Sequence, residues 1–66
     1  MTTLATKSQK NAANEYFEIQ IAQNAKFSCE HYQQAEWIFI AETEFVTSSV
    51  VIGPRGAIKQ SWNDYK

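Results

Sequence analysis

Cys29, Glu30 and His31 are the one run of neighbouring residues in this chain whose types suggest chemistry. A thiolate beside an imidazole forms a nucleophile–base pair when the two can share a proton. The spacing works against that. On a strand, residues 29 and 31 point the same way but stand about 6.5–7 Å apart along the backbone, and residue 30 points to the opposite face. On a helix, positions two apart do not face each other. The triplet therefore reads as a structural segment. These are also the only cysteine and the only histidine, too few for a tetrahedral zinc site. No metal or cofactor is expected. A lone cysteine rules out an intrachain disulfide and argues against an oxidising compartment.

Two other groupings merit the same test. Glu42 and Glu44 share one face if their segment is a strand, and Glu18 could approach from a neighbour. Paired carboxylates can separate their pKa values and perform acid–base work. No nucleophile or metal-ligand set accompanies them in the sequence, so the chain reads as a non-enzyme. The turn Gly53-Pro54-Arg55-Gly56, with Lys59 beyond it, could cradle an anion if a helix starts at Ala57. Free amides at a helix N-terminus attract phosphate. Neither a Walker pattern nor a dinucleotide fingerprint is present, and a tight turn by itself accounts for both glycines.

The elements that must position these residues are short. The chain has 66 residues. That is enough for one hydrophobic core, burying about 60% of the surface that the unfolded chain exposes. Hydrophobic residues make up 44% of it, with two tryptophans, three tyrosines and four phenylalanines, too rich for a disordered chain. A domain this small gains from self-association, so a homo-oligomer is expected.

Residues 1–14 lack bulk and periodicity and read as a flexible N-terminal tail, with room for a helical turn near Gln9–Ala13, followed by a single small domain over 15–66. In YFEIQIA (16–22), Phe17, Ile19 and Ile21 alternate with polar residues, as in a half-buried strand. FSCEHYQ (27–33) reads as a second strand with Phe27, Cys29 and His31 inward. The rival is a helix over about 23–35. In 36–45, Trp37, Phe39 and Ala41 are assigned inward, leaving Ile38 and Ile40 for a cover on the other face, since a strand apolar on both sides is central or covered. Residues 46–52 (VTSSVVI) form a further strand, with a turn or bulge at Thr47–Ser49. Ile58, Trp62 and Tyr65 follow at i, i+4 and i+7, one face of a short C-terminal helix. The fold class is α+β: a meander-like antiparallel sheet of three to four strands with that helix, the alternative being β-α-β-β with the helix at 23–35.

No targeting pattern or membrane-spanning apolar run is visible, the best run being Trp37–Ala41. A cytoplasmic location is the default expectation. Net charge is −1, with acids concentrated in the middle of the chain. The expected function is a small protein-interaction module, acting as an inhibitor, regulator or assembly subunit. Its surface would be aromatic and acidic: Tyr32, Trp37, Glu42, Glu44, Trp62 and Tyr65. Trp and Tyr anchor interfaces well, and acidic groups select a partner with a basic surface. The alternative is a small β-rich nucleic-acid-binding protein using Arg55, Lys59 and the terminal lysines Lys7, Lys10 and Lys66.

Overall fold

The computed structural model describes residues 5–66. Two helices, α1 (Lys7–Tyr16) and α2 (Glu18–Ala22), precede four strands: β1 (Lys26–Gln33), β2 (Glu36–Glu42), β3 (Val46–Ile52) and β4 (Ile58–Tyr65). The strands form one antiparallel meander in the order β1-β2-β3-β4. The α+β class holds, but the helical part lies at the N-terminal side and the C-terminal segment is a strand.

Helix α1 begins with a capping box. The Thr6 hydroxyl accepts from the Gln9 amide at 3.2 Å, and the Gln9 side-chain oxygen accepts from the Thr6 amide at 2.9 Å. This satisfies two otherwise orphaned donors of the first turn. Ala5, Gln9, Ala13 and Phe17 recur every fourth residue and are all buried, the stripe of a helix against a sheet. Small alanines let the helix lie close to the strands. At Phe17 the backbone leaves helical geometry (φ −97°, ψ 23°), separating α1 from α2.

The helices cover one face of the sheet. Gln9 donates to the carbonyls of Ala35, Ile52 and Gly53 at one end, and Gln20 donates to the Ser48 hydroxyl further along β3. Cross-strand partners share a face in an antiparallel sheet. The covered side therefore holds Phe27, Cys29 and His31 of β1, Trp37, Phe39 and Ala41 of β2, and Ser48, Val50 and Ile52 of β3. Phe17, Trp37, Phe39, Ala41, Val50 and Ile52 form the core with Ala5 and Ala13.

Four expectations need correction. Residues 5–14 are not a flexible tail but carry α1 and two core positions; residues 1–4 of that tail lie outside the described residues. Residues 16–22 are helical, not a strand. Of their alternating trio Phe17 is buried, while Ile19 is 70% exposed and Ile21 is exposed. The helix alternative at 23–35 fails, because 26–33 is strand β1, paired with β2. The C-terminal helix is absent: the Gly53–Ala57 turn folds the chain back so that β4 completes a hydrogen-bonded ladder on β3. A nine-residue helix cannot form without tertiary support, whereas the free edge of β3 satisfies the backbone directly.

Candidate functional site

The face of the sheet away from the helices has no cover among the described residues, and three rows of side chains cross it. Glu30, Ile38, Val51 and Gln60 stand opposite one another in the first. Ser28, Ile40, Ser49 and Trp62 make the second, and Lys26, Glu42, Thr47 and Asp64 the third. Ile38, Ile40, Val51 and Trp62 thus form an apolar centre spanning β2 to β4. Val51 itself is buried, 1% exposed. Trp62 is 38% exposed. Tyr32, also exposed, sits where β1 bulges: His31 pairs with Trp37 and Gln33 with Glu36, leaving Tyr32 as the extra residue.

The rim is acidic. Glu30, Glu36, Glu42 and Asp64 carry carboxylates on this side, against the ammonium groups of Lys26 and Lys66. Lys66 binds the Glu42 carboxylate at 2.9 Å and the Thr43 carbonyl at 2.9 Å. That hydrogen bond and the positive charge behind it hold the Glu42 carboxyl below the usual carboxylate range.

The six residues expected to form an aromatic and acidic surface divide. Glu42 and Trp62 lie on the open face in neighbouring rows two strands apart, and Tyr32 lies at the β1 bulge toward the other end of the sheet, so the register does not bring the three together. Trp37 is buried on the opposite side, its ring edge-on to His31 with centroids 5.6 Å apart. Strand β2 ends at Glu42, which places Glu44 in the following turn, so the two glutamates do not share a strand face. Tyr65 lies opposite Val46 at the end of the sheet, exposed beside the Thr43–Phe45 turn. Sequence reasoning missed Ile38, Ile40 and Val51 as the centre of the patch. The alternation of Ile38 and Ile40 with Trp37, Phe39 and Ala41 was the signal.

Cys29 and His31 share the helix-side face and Glu30 faces away, as strand geometry requires. The imidazole Nε2 hydrogen-bonds to the Gln34 carbonyl rather than to the thiol. Partial burial pushes the Cys29 thiol up from its ordinary pKa, with Lys10 opposing and Glu30 adding to the shift. A raised pKa makes a poorer nucleophile.

The anion cradle at Gly53, Arg55, Gly56 and Lys59 loses the helix it required, since β4 follows the turn. The Gly53 amide donates to the Ala57 carbonyl and the Gly56 amide to the Gly53 carbonyl, so neither is free for a ligand. Of the basic residues, Arg55 and Lys59 lie at this turn, which packs against α1 at Ser8 and Gln9, while Lys10 lies beside Phe27 and Cys29 of β1. Lys66 lies at the other end of the sheet. No helix of the described residues is long and apolar enough to cross a membrane. No family model, curated protein or solved structure matches the chain.

Proposed function

We propose that this chain is a small protein-interaction module that binds a partially basic protein partner through its open sheet face, acting as an inhibitor, regulator or assembly subunit. The observation that carries this reading is the apolar group Ile38, Ile40 and Trp62, set in two neighbouring rows around buried Val51 on the open face, with four carboxylates at its rim. An antiparallel sheet with one solvated face ordinarily alternates apolar-in, polar-out. Here the solvated face keeps large apolar groups at its centre. Such a patch with a polar rim has the anatomy of an interface, in which a few aromatic anchors dominate the energy.

The test is affinity capture from the native host with wild-type chain, Ile40→Lys, Trp62→Ala and Tyr65→Ala, followed by binding measurements on the purified partner. The expected result is a basic protein retained by wild type and Tyr65→Ala. Each open-face variant loses tenfold or more in affinity while keeping its far-UV circular dichroism. A partner held equally by all four chains refutes the reading.

A second reading has its own observation. Arg55 and Lys59 line one recess with Gly53, Pro54 and Ala57 at one end of the fold. Nucleic-acid binding there would weaken steeply as salt rises, because phosphate contacts release counterions. Two such contacts give a slope of about −2 in log affinity against log salt; an affinity insensitive to salt eliminates this reading.

A further inference from the structure

We propose that strand β1 is a self-complementary edge. Two copies of the chain pair through it, antiparallel, about a two-fold axis at Ser28, joining two four-stranded sheets into one. This edge borders the open face, whose rim shares Lys26 and Glu30, but the pairing does not depend on the function proposed for that face.

Strand β1 is hydrogen-bonded to β2 alone, and all of its residues are exposed. Its outer edge is a template for another strand. The bulge at Tyr32 comes only at the far end, so the edge is regular from Lys26 to His31. The pattern of side chains then selects a register. Lys26 and Glu30 are the only charged residues of β1. They lie on the same face, two positions either side of Ser28. An axis at Ser28 puts each Lys26 opposite Glu30 of the second copy, twice, by symmetry. An axis at Cys29 places Lys26 opposite Tyr32 and makes no ion pair. An axis at Glu30 sets two carboxylates against each other. Opposite charges directly across a strand pair are favourable and like charges are not.

The other face supports the same register. There Phe27 comes opposite Cys29 of the second copy. The Phe27 ring is 51% exposed, and beside it lies an apolar pocket of about 280 Å³ lined by Phe17, Cys29 and Phe39 among others. The second copy's Phe27 arrives next to Cys29, at that pocket. Helix α1 reaches this edge: Lys10, Ala13, Asn14 and Phe17 share that pocket with Phe27 and Cys29, and the Phe17 and Phe27 rings lie 6.1 Å apart between centroids. The second copy's Phe27 therefore meets α1 as well as β1, while the backbone edge beyond Lys26–His31 stays unpaired.

A single short edge makes a small interface, so the dimer is concentration-dependent, forming between about 10 µM and 1 mM. Sedimentation velocity over that range reads it. The Ser28→Cys, Cys29→Ser double variant reads the register. Residues directly opposite have Cα atoms about 4.5–5.5 Å apart, within disulfide reach, while wild-type Cys29 and its copy are offset by two residues to about 8 Å, beyond it. The expected result is a covalent dimer of the double variant under mild oxidation and none of the wild type. Lys26→Glu weakens association at least tenfold, and Lys26→Glu combined with Glu30→Lys restores it. Wild type that stays monomeric to about 1 mM, cross-linking through Cys29 instead, or Lys26→Glu dimerising as wild type does, each overturns the proposal.

Discussion

Replacing Gln9 should cost this domain a large part of its stability. The side chain is 1% exposed and its amide works in both directions. Its oxygen accepts from the Thr6 amide, completing the cap of α1, while its nitrogen donates to Ala35 at 2.9 Å, to Gly53 at 3.0 Å and, more weakly, to Ile52 at 3.4 Å. One residue thus ties the helix start to the β1–β2 turn and to the end of β3. In Gln9→Ala the carbonyls of Ile52 and Gly53 lose a buried donor, about 1 kcal/mol each at the low end of that penalty. Half of the capping box goes, about 0.5–1 kcal/mol. One methylene, Cγ, leaves the core, about 0.8 kcal/mol. Against this, roughly 1.5 kcal/mol of side-chain entropy is no longer lost on folding. The net is about 2 kcal/mol, in a domain whose total lies near the lower end of about 5–15 kcal/mol.

Urea unfolding followed by circular dichroism measures this directly, and the midpoint temperature should fall by roughly 8–16 °C. Gln9→Glu separates the two halves of the role. A glutamate at this position of a capping box still accepts from Thr6, but it cannot donate when ionised, and it turns a carboxylate toward three carbonyl oxygens. It should therefore destabilise at least as much as alanine at pH 7. If Gln9→Glu unfolds within about 0.5 kcal/mol of wild type, a difference no larger than the smallest net worth of one hydrogen bond, the donor contacts contribute nothing measurable and the reasoning fails.

Two further outcomes follow from local geometry. Gln34 sits at φ 47° in the β1–β2 turn, a left-handed conformation that costs an L-residue about 1–2 kcal/mol relative to glycine's ready access; Gln34→Gly should raise stability by about 0.5–1 kcal/mol, and an unchanged or lower urea midpoint would contradict this. Glu42 titrates below the usual carboxylate range because of the Lys66 hydrogen bond and charge. Its folded pKa is depressed, so its stabilising contribution is present above the unfolded carboxylate pKa and is lost as pH falls through the folded one. NMR titration should show the Glu42 carboxyl returning to the ordinary range in Lys66→Ala and partly so in high salt, which screens an exposed pair.

The sheet was legible in the sequence where alternation and bulk agreed. Trp37, Phe39 and Ala41 face the core as their parity implied, β3 spans Val46–Ile52 as its Val and Ile residues implied, and Gly53–Gly56 is a turn. The helix was not legible, because its buried stripe is Ala5, Gln9, Ala13 and Phe17, residues too small or too polar to register as hydrophobic periodicity. The available signal was Thr6-Lys7-Ser8-Gln9, a capping-box pattern. Ile19 and Ile21 misled by supplying a strand-like alternation that the fold leaves exposed. At the other end, Ile58, Trp62 and Tyr65 match a helical face as well as a strand. The deciding factor was β3's unpaired edge, a tertiary fact that no local window contains. For the candidate surface, sequence grouped Trp37 with Glu42 and Trp62, although the sheet places Trp37 on the side opposite the other two, since ring size alone does not say which side of a sheet a residue takes.

The two proposed surfaces place constraints on each other. A two-fold axis perpendicular to the sheet keeps both helical layers on one side and both open faces on the other. Pairing through β1 would therefore leave Ile38, Ile40, Val51 and Trp62 of each copy uncovered and coplanar, with the two apolar centres flanking the joined edge. Lys26 and Glu30 belong to the rim of the open face; neutralising each other across the junction would remove charge from between the centres and leave Glu36, Glu42 and Asp64 at the outside. A partner carrying two basic segments would then bind both copies at once, with the second contact made at high effective concentration. Lys26→Glu would weaken binding of that bivalent partner far more than binding of a single segment. Equal loss for both would mean that the charge at residue 26 acts on the partner directly and that the edge plays no part in recognition.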